Sequence, residues 1–137
     1  MSVFSHGIDM VDCRRLAAMI GRHRDRFLKR VFTAAELEYC QGKKRRIEHL
    51  AGRFAAKEAV LKVLGTGLRE GMNWTDVEIL NEPSGQPKVH LAGRCRQIAA
   101  GKGIASILVS ISHIQTHAIA SAIGVARLRR RRTGRHR

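Results

Sequence analysis

Aromatic residues are scarce in this chain: one Trp, one Tyr and four Phe, 4% of the 137 residues. A core must therefore be assembled from Leu, Ile, Val and Ala, and stacking platforms for nucleic-acid bases are poorly supplied. Prolines number two and cysteines three. The cysteines, Cys13, Cys40 and Cys95, are odd in number and far apart, which argues against a disulfide framework and against a Cys-x-x-Cys metal site. Seven histidines show neither finger-like nor His-Glu-x-x-His spacing, so a zinc protein is disfavoured. No apolar run approaches the roughly 18 residues of a membrane span. Nor does the N-terminus show a charged start followed by an apolar stretch, so the expected setting is a reducing cytoplasm without membrane association.

Acidic residues are also few, 11 against 26 Lys and Arg, for a formal charge of +15. The excess is uneven. Arg127 to Arg137 carry seven arginines and no acid, leaving 19 basic against 11 acidic residues in the body. Polyanionic partners are favoured: nucleic acid, acidic proteins or phosphorylated small molecules. One domain is expected over residues 1–126, with 127–137 as a disordered Arg-rich tail and the one place where nucleic acid would bind.

Along the chain, Val3 to Val11 reads as a short strand interrupted by Ser5, His6 and Gly7. Asp12 is placed to cap a helix whose apolar side holds Leu16, Ala17, Met19 and Ile20. A second helix is expected from Arg24 to Val31. Thr33 and Glu36 form a capping box that opens a third, through about Tyr39. The longest helical pattern runs from Ile47 to Leu64 and stops at Gly65-Thr66-Gly67. Trp74 to Leu80 alternates like a strand. The turn-rich Asn81 to Pro87 predicts a hairpin back through Lys88 to Leu91. A short helix near Ala92 to Lys102 and strands at Ile104–Ile114 and Ala118–Val125 complete an α+β order with an antiparallel sheet.

Glu58 is the unexpected residue. At about 100° per residue it falls at the edge of a stripe formed by Ile47, Leu50, Phe54 and Leu61. A carboxylate on an apolar stripe needs a partner. One reading is an i,i+4 pair with Lys62, or a side chain snorkelling at the edge of the core. The other is a magnesium ligand, with Asp9 at the end of the first strand supplying a second carboxylate and Asp12 as an alternative. Arg53 and Lys57 nearby either neutralise phosphates or form a solvated face.

Gly7-Ile8-Asp9, Leu50-Ala51-Gly52-Arg53-Phe54-Ala55-Ala56-Lys57-Glu58-Ala59, Lys62 and Gly65-Thr66-Gly67 closely resemble the holo-acyl-carrier-protein synthases, the short-type 4′-phosphopantetheinyl transferases. The turn Asn81 to Pro87 and the strand Val109-Ser110-Ile111-Ser112-His113 extend the match. The resemblance implies the 4′-phosphopantetheinyl transferase fold and transfer of phosphopantetheine from coenzyme A to a serine of apo acyl carrier protein, a step of fatty acid biosynthesis. It implies Mg2+ on Asp9 and Glu58, with Asp9, Glu58 and Lys62 as the catalytic set. Coenzyme A contacts are expected from Lys44, Arg45, Arg53, Lys62, Gly65 and His113, and carrier docking from Arg15, Met19, Arg22 and Arg26. Short-type members are expected to be homotrimers with active sites between subunits. Two departures stand out: Ser5–His6 in a strand that is usually apolar, and the Arg-rich tail. The rival reading is a basic, ribosome-associated nucleic-acid-binding module, which leaves Glu58 without a role.

Overall fold

The computed structural model describes residues 2–69 and 71–127; the Arg-rich tail expected at 127–137 lies outside them beyond Arg127. The element order is β1 (Ser2–Asp12), α1 (Cys13–Val31), α2 (Ala34–Gln41), α3 (Arg46–Leu64), a 3₁₀ turn (Trp74–Asp76), β2 (Val77–Asn81), β3 (Pro87–Leu91), α4 (Gly93–Gly101), β4 (Ile104–His113) and β5 (His117–Ala126). Strands β1, β5 and β4 form an antiparallel sheet in that order, and β2 pairs with β3 in a separate hairpin. The α+β expectation holds.

Three local readings need correction. Ser5 and His6 do not break the first strand. It runs through them with one irregularity between Val3 and Ser5, and both polar side chains find partners: Ser5 Oγ donates to the Val63 carbonyl at 2.7 Å, and His6 Nε2 lies 3.0 Å from Ser121 Oγ. Trp74 does not start a strand. It opens the 3₁₀ turn, because Asn73 and Asp76 close a reciprocal cap around it. The two expected N-terminal helices form one helical run kinked at Arg24, whose φ of 44° and ψ of −127° are helical for no residue. At the start of that run Asp12 caps as expected, accepting from the amides of Arg14 and Arg15 at 2.9 and 3.2 Å.

The central helix α3 packs on the inner face of the three-stranded sheet and is buried nearly all round. Small residues make this possible. A Cβ at Gly7 of β1 would run into the Ala59 carbonyl and come within 2.9 Å of the Lys62 Cβ. One at Gly124 of β5 would meet Val63 Cγ1 at 2.7 Å, and one at Gly52 would meet Ile111 Cγ2 of β4 at 2.9 Å. Backbone and helix thus approach closely at every strand. Ala51, Ala55, Ala56 and Ala59 are all fully buried in the contact, with Leu50, Val60, Leu61 and Leu64 filling the remaining space. Each such Leu or Val contributes about 1.5–3 kcal/mol by leaving water.

The expected apolar stripe on α3 is therefore wrong in sense. Leu50 and Leu61 are buried, but so is almost everything else, while Ile47, Phe54 and Glu58 are only half-buried and Lys62 is exposed. Phe54, Glu58 and Lys62, spaced by four, mark an open strip on the C-terminal half of the helix, which is otherwise enclosed from Leu50 to Leu64. Amphipathic logic misassigns such a helix because it has no broad polar face to orient it. On its far side the sheet presents Ile8, Met10, Leu108 and Ile119 to solvent.

Candidate active site

β1 delivers Asp9 to the open strip of α3. The glycine at position 7 brings the strand against Ala59 and Lys62, so Asp9 arrives beside Glu58 and Lys62. The Lys62 ammonium donates to the Ile8 carbonyl at 2.7 Å and lies 3.2 Å from Asp9 Oδ1. Glu58 is half-buried, and its carboxyl is raised above the ordinary value, first by burial and then by the neighbouring Asp9 carboxylate, with Lys62 opposing. Of the two readings of Glu58, the i,i+4 pair with Lys62 is not what forms, because Lys62 turns to Asp9 instead. Asp12, the alternative second carboxylate, is occupied as the cap of α1.

A cleft of about 210 Å³ beside Asp9 is lined by Arg15, Leu16, Met19 and Phe54. It shares Met19 and Phe54 with a groove of about 610 Å³ that carries Arg22, Arg26, Phe27 and Trp74. Phe54 stacks on Trp74 with ring centroids 5.3 Å apart, giving the groove an apolar floor under a basic rim. Arg15, Met19, Arg22 and Arg26, proposed from the sequence as one surface, do line these two adjoining depressions.

The remaining expected residues are elsewhere. Arg53 and Lys57 are not solvated: they are 3% and 0% exposed. Arg53 donates to Asn81 Oδ1 at 2.6 Å and stacks over the Tyr39 ring at 4.2 Å. It lines a second cleft, of about 200 Å³, with Tyr39, His49, Asn81, Gly85 and His113. Lys44 and Arg45 are exposed in the turn that precedes α3. Arg53 is about 140° and His49 about 180° around the helix from Glu58. His113 is on β4, and Asp9 on β1, the opposite edge of the sheet. Within one chain, then, Asp9, Glu58 and Lys62 are brought together, whereas Arg53 and His113 form a separate group behind α3. Gly65, in a left-handed conformation at φ 76°, ends α3 one turn beyond Lys62, its amide bonded to the Leu61 and Lys62 carbonyls.

Sequence reasoning missed the anchor between these two groups. Lys57 and Glu36 form an ion pair at 2.7 Å with both side chains fully buried. Lys57 also donates to the carbonyls of Trp74 and Val77. Glu36 accepts from the Thr33 amide with one oxygen and from the Ile79 amide with the other, both at 2.9 Å. The capping box was legible; its second use as a buried counter-ion was not. Tyr39 and His49 also escaped notice, and Asn81 was marked only as a turn residue, since nothing in their spacing points to this cleft.

A sequence profile of the 4′-phosphopantetheinyl transferase superfamily matches residues 5–121. The chain belongs to that superfamily. Among curated phosphopantetheinyl transferases, it is similar to the holo-[acyl-carrier-protein] synthase of Koribacter versatilis, 45% identical over 121 residues that cover 88% of this chain and 97% of that one. The Geobacter sulfurreducens enzyme of the same name is 43% identical, covering 88% and 96%. Solved phosphopantetheinyl transferases share the fold. The Neisseria meningitidis holo-[acyl-carrier-protein] synthase superposes with a TM-score of 0.83 at 25% identity, covering 90% of this chain and 99% of that one. The Helicobacter pylori synthase, solved in complex with coenzyme A, gives 0.78 at 30% identity, covering 88% and 100%.

Proposed function

We propose that the chain transfers the 4′-phosphopantetheine arm of coenzyme A to a serine of an apo acyl carrier protein, releasing adenosine 3′,5′-bisphosphate. The observation that carries this is Asp9 of β1 meeting Glu58 and Lys62 on the open strip of α3, in a chain of this superfamily. The serine oxygen attacks the β-phosphorus of coenzyme A, and the bond from that phosphorus to the bridging pyrophosphate oxygen breaks. Positioning and charge neutralisation supply most of the catalysis in such a step. Lys62 neutralises phosphate charge beside Asp9. Glu58 receives the serine proton, directly or through a water.

The donor set suits magnesium. Burial and the Asp9 carboxylate beside it both disfavour a charged Glu58, and the exposed Lys62 turns to Asp9, so the pair has room for a further cation. Magnesium is held by one or two carboxylates together with substrate phosphates, and Asp9 and Glu58 supply that number. When bound, the ion polarises phosphate oxygens and stabilises charge on the leaving group.

The basic-rimmed groove of Arg22 and Arg26, continuous through Met19 with Asp9, suits an acidic carrier whose serine must reach Glu58. Arg53, His113, Lys44 and Arg45 are read as the nucleotide end of the coenzyme A site, and Gly65 as a backbone contact near Lys62. One ligand cannot lie along both groups of a single chain without passing round α3. A homotrimer with each site shared between neighbours removes the difficulty, and the apolar outer face of Ile8, Met10, Leu108 and Ile119 offers the subunit contact. Among the described residues no helix is long and apolar enough to cross a membrane. The cytoplasm is the proposed location, in keeping with three free, buried cysteines.

Chromatography of the nucleotide product tests the reading. Adenosine 3′,5′-bisphosphate should accumulate only when coenzyme A, magnesium and apo carrier are all present; accumulation without carrier, or none with it, contradicts the assignment.

A further inference from the structure

Behind α3, a buried carboxylate faces the buried Nδ1 edge of a half-buried imidazole. Glu48 lies in the first turn of the helix yet is only 6% exposed. Its Oε1 is 3.5 Å from Nδ1 of His113, and neither atom has a hydrogen-bond partner. The other oxygen, Oε2, is 3.6 Å from Nε of the exposed Arg45. An acid in a first helical turn is favoured by the helix dipole, but that effect is available to an exposed side chain and gives no reason for burial. Burying a carboxylate oxygen against an unpartnered ring nitrogen costs stability unless the two groups use each other.

We propose that Glu48 is a positioning residue for His113. It holds the proton on Nδ1, which leaves Nε2 as the unprotonated edge turned toward the cleft of Tyr39, His49, Arg53 and Asn81. Three features support this. Nδ1 is buried while the His113 side chain as a whole is 28% exposed, so the solvent-facing part of the ring is the other edge. His49 packs edge-to-face on His113 with centroids 5.2 Å apart and limits its rotation. His49 itself is held below the usual imidazole range, chiefly by burial and then by His113 and Arg53, so it adds bulk rather than positive charge. The nitrogen partnered by a carboxylate sets which tautomer a histidine adopts. Nε2 in that tautomer is an acceptor, fit for the exocyclic amine of an adenine or for a ribose hydroxyl. The role rests on the coenzyme A reading of this cleft; the tautomer does not.

The test has two arms. Nitrogen-15 NMR of the unliganded protein should show His113 as the Nδ1-protonated tautomer, and Glu48→Gln should convert it to a tautomer mixture while the remaining amide spectrum is kept. In transfer assays Glu48→Gln should raise the KM for coenzyme A about tenfold with kcat little changed. Adding it to His113→Ala should cost nothing more. An unchanged tautomer in Glu48→Gln, or fully additive KM effects in the double variant, overturns the proposal. If the wild-type chain transfers nothing, the functional reading fails and the NMR arm still decides the pairing.

Discussion

Lys57 and its sequence neighbour Glu58 point to opposite fates: Lys57 is sealed against Glu36 with no solvent access, and Glu58 stands at the open strip beside Asp9. One turn of helix therefore carries both the anchor of the fold and the group proposed to do the chemistry. Lys57 ties α3 to Glu36 of α2, to the 3₁₀ turn at Trp74 and to β2 at Val77, and Glu36 in turn holds the amides of Thr33 and Ile79. This anchor holds the strip that bears Glu58 in place.

Replacing Lys57 by Met should destabilise the chain by about 3–5 kcal/mol, because the Glu36 charge is left buried without its partner. Burial holds the Lys57 amine below its usual range despite Glu36, which shows how little water the pair retains. Removing Glu36 as well should not restore full stability, since the amides of Thr33 and Ile79 lose their acceptor. Urea unfolding of the single and double variants measures both effects.

Glu58→Gln should abolish transfer and raise the melting temperature at about pH 7.5. The sign follows from the raised carboxyl: the native state binds this proton more tightly than the unfolded chain. Stability from that group is complete below the ordinary carboxylate value and is lost as pH rises through the native one. The gain in the Gln variant should thus vanish near pH 4. Melting curves across pH report it, and magnesium should raise the melting temperature of the wild type more than that of the variant.

Gly7→Ala should cost about 1–3 kcal/mol through overpacking against Ala59 and Lys62. It should also lower transfer activity among the molecules that remain folded, because Asp9 rides on the displaced strand. A neutral result in both stability and kcat would contradict the close-approach argument.

Charge reversal at the groove, Arg22→Glu with Arg26→Glu, should raise the KM for carrier about tenfold at low salt and leave kcat nearly unchanged. The penalty should shrink as ionic strength rises. An effect on the KM for coenzyme A instead would place the groove on the wrong substrate.

If sites are shared between copies, two inactive variants should rescue each other. Lys44→Glu with Arg45→Glu spoils exposed residues at the nucleotide end, and Glu58→Gln spoils the other end. Mixed subunits should regain a substantial fraction of wild-type activity after exchange. No regain in verified mixed assemblies would mean that one chain supplies the whole site.

Much of this was legible from sequence wherever the signal was local. The Asp12 cap, the Thr33–Glu36 box, the hairpin turn and the glycine stop of α3 all depend on neighbours within a few residues. Glu58 is singled out in the sequence for a reason that the structure reverses: it stands out because α3 is enclosed on nearly all sides around it, not because it intrudes on a buried stripe. What stayed hidden depends on contacts distant in the chain. Lys57 meeting Glu36, Arg53 meeting Asn81 and Glu48 meeting His113 are juxtapositions set by how α3 lies across the sheet. The separation of Arg53 and His113 from Glu58 follows from helix phase and strand order, and motif order along the chain conceals both.

The most direct measurement is the intact mass of an apo acyl carrier protein after incubation with the chain, coenzyme A and magnesium. The account predicts a gain of about 340 Da, the mass of the transferred arm, with the wild type, and none with Asp9→Asn or Glu58→Gln of undiminished folded content. Full loading by both variants, or no loading by the wild type, would contradict it.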